Sequence, residues 1–186
     1  MSVLRRVHTL VTGLVVLAAT AACHDSKGPP VVSQPSVADS ADQVLTGVRY
    51  VMSTSGIDRG VMVADTAYVL DDQTRFDLRR AHVDFKTEAG VPQGTMDAKR
   101  GMYNQRSQIL EGWGDVVVKL VDGRTLKSPH LTFNQITHII SSDTTYTLSK
   151  ENDTQTGLGF VSDQAFVKFT CKADCKGSTS LLIPER

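Results

Sequence analysis

The chain has 186 residues, with 20 Lys and Arg set against 20 Asp and Glu, and so carries no formal net charge. That balance excludes the broad basic face that duplex nucleic acid requires. Aromatic residues at 6%, with a single Trp, exclude a stacking platform for single strands. At 40% hydrophobic and 22% charged residues the composition is that of one ordinary globular domain, too polar for a multi-span membrane protein.

The N-terminus reads as an address. Arg5 and Arg6 precede an uncharged stretch, residues 9–22, with Leu10, Val11, Leu14, Val15, Val16 and Leu17 at its centre. A bilayer-spanning helix needs about 20 apolar residues. This stretch is shorter, and it ends in Ala18, Ala19, Thr20, Ala21 and Ala22. A basic start, a short apolar run and a small-residue exit describe a secretory signal over residues 1–22. Cys23 follows at once, as in a bacterial lipobox, where the thiol is acylated and becomes the mature N-terminus. Thr20 stands where such a motif usually has Leu, and ordinary cleavage after Ala21 is the alternative. Residues 23–40, with Pro29, Pro30, Pro35 and several Ser, read as a flexible linker that lifts a domain off a membrane. The domain is expected over residues 41–172, followed by a tail over 173–186.

If Cys23 carries lipid, two cysteines remain, Cys171 and Cys175. In an exported chain they form a disulfide or stay as free thiols. A zinc site is disfavoured because four ligands are needed and no His lies near. A bridge would close a very small loop, so its entropic contribution is modest.

Taken in order, the body reads as β. Ser40-Ala41-Asp42-Gln43 has capping-box spacing and predicts one helical turn. Period-2 alternation follows: Val48, Tyr50 and Met52, then a turn at Ser55-Gly56; Val61 and Val63; Tyr68 and Leu70, ending at Asp71-Asp72; Val83 and Phe85. Val116, Val118 and Leu120 share a face, and Asp122-Gly123 supplies a two-residue hairpin turn. Leu131 and Phe133, Tyr146 and Leu148, and Ala165, Val167 and Phe169 continue the series. Gly112-Trp113-Gly114 predicts a bulge or tight crossing, with the Trp at the core or rim. Many short strands at close spacing predict an all-β barrel, sandwich or jelly roll.

An internal repeat relates residues 95–118 to 125–148. Thr95 matches Thr125, Asn104 matches Asn134, Gln105 matches Gln135 and Ile109 matches Ile139, while Tyr103 faces Phe133 and Leu110 faces Ile140. Each unit reads as strand, polar corner, strand, and stacked units bury a core that one alone could not. Alternation does not distinguish a closed core from a groove for acyl chains. The groove candidates are Val116, Val118, Leu120, Leu131, Phe133, Tyr146 and Leu148.

Catalytic signatures are missing from the sequence. There is no P-loop and no Gly-x-Ser-x-Gly elbow. Gly157-Leu158-Gly159-Phe160 lacks the third Gly of a dinucleotide loop and reads as strand. His82, His130 and His138 lack paired metal-ligand spacing, and Glu151-Asn152-Asp153 offers too few ligands for calcium. The expectation is a chain with no cofactor and no metal that is not an enzyme.

Several blocks together resemble the LptC family, the membrane-anchored periplasmic component of lipopolysaccharide export, and its LptA and OstA-like relatives. These are Gly94-Thr95-Met96-Asp97-Ala98-Lys99-Arg100-Gly101, Tyr103-Asn104, Ile109-Leu110-Glu111-Gly112, Asp115-Val116-Val117-Val118, Asp122-Gly123-Arg124-Thr125-Leu126, Leu131-Thr132-Phe133, Ile139-Ile140-Ser141-Ser142-Asp143 and Gly157-Leu158-Gly159-Phe160 with Asp163. The resemblance spans residues 47 to 172. A lipobox in place of a transmembrane helix, and the Cys171/Cys175 tail, depart from it. It implies a twisted open β-jelly roll whose apolar interior receives acyl chains. It also implies three partners: lipopolysaccharide or another acylated lipid, an inner-membrane ABC transporter that delivers it, and a same-fold periplasmic bridge protein that accepts it. The location implied is the periplasmic side of the inner membrane, lipid-anchored, with the outer membrane left open.

Such a role is physically intelligible. An acyl chain in water costs about 0.8 kcal/mol per CH₂, so a dozen carbons oppose release by roughly 10 kcal/mol. Passage from membrane to groove exchanges one apolar environment for another, and direction then comes from ATP hydrolysis by the partner. The last strand is expected near residues 165–169, with Ala165, Val167 and Phe169 on an edge that docks the bridge protein by strand addition. The rival reading is a non-catalytic structural or assembly lipoprotein that uses the same fold as an interaction scaffold.

Overall fold

The computed structural model describes residues 36–87 and 89–177. Nine antiparallel strands follow one another in one sheet, each beside its sequence neighbour. They are β1 (Gln43–Thr54), β2 (Ile57–Leu70), β3 (Arg75–Lys86), β4 (Pro92–Asn104), β5 (Ile109–Leu120), β6 (Thr125–Asn134), β7 (Ile139–Lys150), β8 (Asp153–Asp163) and β9 (Thr170–Gly177). β1 and β9 end the order and do not pair, so the sheet is open: the all-β, twisted open jelly roll expected from the sequence. The punctuation falls where the turn residues do. Gly56, Asp71, Asp72 and Gly123 all adopt positive φ between strands, and for the glycines this conformation is free of Cβ strain.

The strands are not uniform. The inward face changes parity in mid-strand: Ala64 gives way to Ala67 on β2, Leu78 to Ala81 on β3, Ala98 to Gly101 on β4 and Ser128 to Leu131 on β6. The ladders slip at the same level, between Asp97 and Arg100, Trp113 and Val116, Lys127 and Thr132, and Ser142 and Thr145. β-bulges bend a strand and strengthen its twist, and a row of them bends the whole sheet. The inside of the bend is lined by small residues because backbones approach there. A Cβ on Gly101 would sit 3.3 Å from the Ala81 Cβ, and one on Gly112 would sit 3.3 Å from the Ala98 Cβ.

Hydroxyls hold the inside of the bend where the ladder is broken. Ser142 Oγ donates to the His130 carbonyl at 2.8 Å, and Ser128 Oγ lies 2.8 Å from the same oxygen. On the outside, charged residues meet across strands: Arg80 with Asp65, Lys99 with Asp115 and Lys172 with Asp143. These pairs are exposed, so each contributes little.

Bending rolls the sheet around one core. Phe85 on β3 and Phe133 on β6 are three strands apart, about 14 Å in a flat sheet, yet their rings meet edge-on with centroids 5.3 Å apart. Tyr50 on β1 likewise reaches Tyr103 on β4, at 5.5 Å.

Two local expectations are corrected. The single helical turn is Val37–Ser40, not one opening at Ser40; Ser36 N and Oγ both donate to Asp39 Oδ2, at 2.8 and 2.9 Å. Gln43 is already in β1, opposite Val69. The last strand is also not at 165–169. There the chain turns, Phe166 takes φ 54°, and β9 begins only at Thr170. The cause is Asp163. Its carbonyl accepts Phe166 N at 3.0 Å, and its Oδ1 accepts Val167 N at 2.7 Å and Lys168 N at 3.0 Å. With those amides satisfied in a turn, Phe166 and Phe169 point inward and Val167 outward.

Candidate functional site

The interior is the candidate site. Val116, Val118, Leu131, Phe133, Tyr146 and Leu148 are all buried on the inward face, and Leu120 is half-buried against them. Val117, Lys119 and Thr132 lie between them on the outward side, half-buried or exposed. The structure thus brings all seven groove candidates onto one face and into one cluster. In this conformation they fill it themselves, with Met52, Met62, Leu78, Val83, Phe85, Met96 and Leu126 packed among them.

The repeat seen in the sequence builds two hairpin corners in one row of strand ends. Asn104 Oδ1 accepts Arg106 N and Ser107 N, both at 3.0 Å; Asn134 Oδ1 accepts Ile136 N at 2.9 Å and Thr137 N at 3.1 Å. Each Asn closes the corner of its hairpin. The corners are stitched together, Gln105 N donating to Thr74 O at 2.8 Å and Gln135 N to Gln108 O at 3.0 Å. The two Gln side chains differ in role. Gln105 Nε2 donates to Tyr50 Oη at 2.9 Å, whereas Gln135 is fully buried, accepting from Tyr103 Oη at 3.4 Å and donating to Met52 Sδ at 3.1 Å. Burial pushes the Tyr103 phenol far above its ordinary pKa of 10, so it stays a neutral donor.

Residues 164–169 leave β8 in the same row of strand ends, since Asp163 is opposite Ile139 and Ile139 opposite Asn134, and they cover the interior beside β9. Phe166 and Phe169 cluster with Phe160 and Tyr146, with centroids from 5.0 to 6.3 Å apart. Arg124 clamps this segment. Its Nη1 donates to Phe166 O at 2.6 Å, its Nη2 to Ala165 O at 3.1 Å and its Nε to Asp122 Oδ2 at 2.7 Å, with only 8% of the side chain exposed. Gln164 Nε2 adds a bond to Lys86 O at 3.4 Å. Sequence reasoning missed Arg124; the signal lay in an Arg placed directly after an Asp-Gly turn. Of the three expected edge residues, none lies in a strand: Ala165 accepts from Arg124, Val167 is exposed and Phe169 is core.

The true C-terminal edge is β9. Cys171 and Cys175 are bridged across a local irregularity in it, where Asp174 takes φ 52° and the ladder to β8 slips between Thr156 and Leu158. The opposite edge, β1, exposes Val44, Leu45 and Val51. Cys23 lies outside the described residues.

His82 and His130 have structural partners. His82 Nδ1 meets Asp97 Oδ1 at 2.7 Å, and this hydrogen bond raises its pKa above 6.5 against the opposing effect of partial burial. His130 Nε2 lies 3.2 Å from Glu111 Oε2, and its ring stacks on Trp113 at the bulge, 5.2 Å between centroids. His138 sits in the corner between β6 and β7 with φ 57°. No cluster able to hold a metal ion occurs among the described residues, and no helix there is long and apolar enough to cross a membrane.

A family model described as "Lipopolysaccharide-assembly, LptC-related" matches residues 11–179. No curated protein shows significant similarity to the chain.

Proposed function

Because the chain belongs to the LptC family, we propose that it is a membrane-anchored periplasmic protein that binds lipopolysaccharide or a related amphiphile. It takes the lipid from an inner-membrane ABC transporter and passes it to a periplasmic bridge protein of the same fold. The observation that carries this reading is the open roll: an apolar interior continuous from β1 to β8, bounded by two strands that do not pair with each other. Parting the roll between its edges exposes apolar side chains to an acyl chain without breaking a β1–β9 ladder, since there is none. A relay needs one side to receive and one to deliver, and two free edges provide both by strand addition.

The anchor belongs to the same reading. Acylation of Cys23 holds the domain at the membrane surface, and one chain alone binds reversibly, so more than one is needed for a lasting anchor. Intact-mass measurement of the mature protein is expected to give an acylated N-terminal Cys23. An unmodified N-terminus at Ala22 would exclude the anchor.

The filled interior favours a second reading, a scaffold whose core never admits a ligand. Gentle extraction and native mass spectrometry separate the two. A co-purifying acylated lipid supports transport, whereas lipid-free protein that still holds the transporter and the bridge protein supports the scaffold.

A further inference from the structure

Among the described residues, Tyr146 Oη on β7 and Gln155 Oε1 on β8 are buried side-chain atoms with no hydrogen-bond partner, as is Gln93 Oε1 on β4. Tyr146 is 3% exposed and Gln155 7%. Leaving such groups unmade costs about 1–3 kcal/mol each, and native interiors rarely keep them without a reason. They are neighbours in the sheet. Tyr146 is opposite Gly157 and Leu148 is opposite Gln155, so the two residues are cross-strand diagonals on the inward face. Gly157 is what lets the phenol lie there, since a Cβ would come within 2.8 Å of Tyr146 Cε1 and 2.6 Å of Cys171 Sγ. Gly157 also stands where the β8–β9 ladder is interrupted, next to the open edge.

We propose that Tyr146 Oη and Gln155 Oε1 bind the linkage of an amide-linked acyl chain that enters past the open β9 edge. The phenol is a donor and the side-chain carbonyl an acceptor. A secondary amide offers the matching acceptor and donor, and its C=O and N–H point in opposite directions, which suits partners on two strands. An ester or ether has no N–H for Gln155. The chain itself then lies against Leu148, Phe160 and Phe169. This assignment rests on the lipid-binding reading above and narrows it to a linkage.

The test compares N-dodecanoylglucosamine with dodecyl glucoside, which carry the same chain length on a glucopyranose ring, the first through an amide at C2 and the second through an ether oxygen at C1. Binding to the mature protein is measured by calorimetry below the micelle-forming concentration. The wild type is expected to prefer the amide by about tenfold, the equivalent of one net hydrogen bond. Tyr146→Phe and Gln155→Met should each lower N-dodecanoylglucosamine affinity enough to remove that preference. Tyr146→Phe should not lower the unfolding midpoint, because the free protein has no bond to lose. A wild type without preference, a preference that survives both substitutions, or a Tyr146→Phe protein clearly less stable than wild type overturns the assignment while leaving the lipid-binding reading standing. A wild type that binds neither glycolipid overturns both.

Discussion

Asn104 and Asn134 stand one repeat apart and perform the same act, each carboxamide oxygen capping the two backbone amides that follow its strand. The amides at Arg106, Ser107, Ile136 and Thr137 have no ladder partner, so the side chain replaces one. Replacing either Asn by Ala is expected to cost about 1 kcal/mol of unfolding free energy in urea. Asp keeps the acceptor and should recover most of it. The two Ala substitutions should be nearly additive unless the stitching of Gln135 N to Gln108 O couples the corners.

Arg124 fixes the segment that closes the interior. Arg124→Ala removes the donors to Ala165 O and Phe166 O and leaves both carbonyls without them. A loss of about 2–4 kcal/mol is expected, with hydrogen exchange rising first over residues 164–169. Lys in its place cannot reach two carbonyls and Asp122 together, and should rescue only part.

His82 gives the molecule a mild pH dependence. Its pKa is raised in the fold by the hydrogen bond to Asp97, with Asp84 also facing it at 3.4 Å. A raised cation pKa contributes stability that is fully present below pH about 6.5 and is lost as pH rises through the folded value. The gap in unfolding midpoint between wild type and His82→Gln should therefore be larger at pH 6 than at pH 8. Asp97→Asn should bring the His82 titration, followed by NMR, back toward its ordinary value.

Much of this fold was legible because turn chemistry and alternation are local. The Asn-Gln corners, the place of the hairpin at Asp122-Gly123 and the bulge at Gly112-Trp113-Gly114 follow from short stretches of chain, whereas that hairpin's loop is longer than the two residues expected and the bridge between Cys171 and Cys175, left open by the sequence, is settled by the fold. What was not legible depends on the bend. On β2 the sequence suggests Val61 and Val63 on one face, yet Met62 and Ala64 face the core, then Ala67 and Val69 after the parity switch. Alternation read through a bulge gives the wrong face beyond it. At 165–169 the pattern of Ala165, Val167 and Phe169 mimics a strand, while Asp163 turns the chain and buries Phe166 instead. The unpaired Tyr146 and Gln155 are invisible to any sequence argument, since only packing shows that a polar atom lacks a partner.

The central claim is that the inward face of the open roll meets acyl chains. The most direct measurement places a photo-crosslinking residue at Leu120, Leu131 or Tyr146, and in parallel at Lys119, Thr132 or Val117, in a strain active in lipid export. Each variant is first checked for folding by its unfolding midpoint, and lipid adducts are then identified by mass spectrometry. The account predicts adducts at the inward positions and few at the outward ones. Equal capture on both faces, or none at the inward positions while export continues, would contradict it.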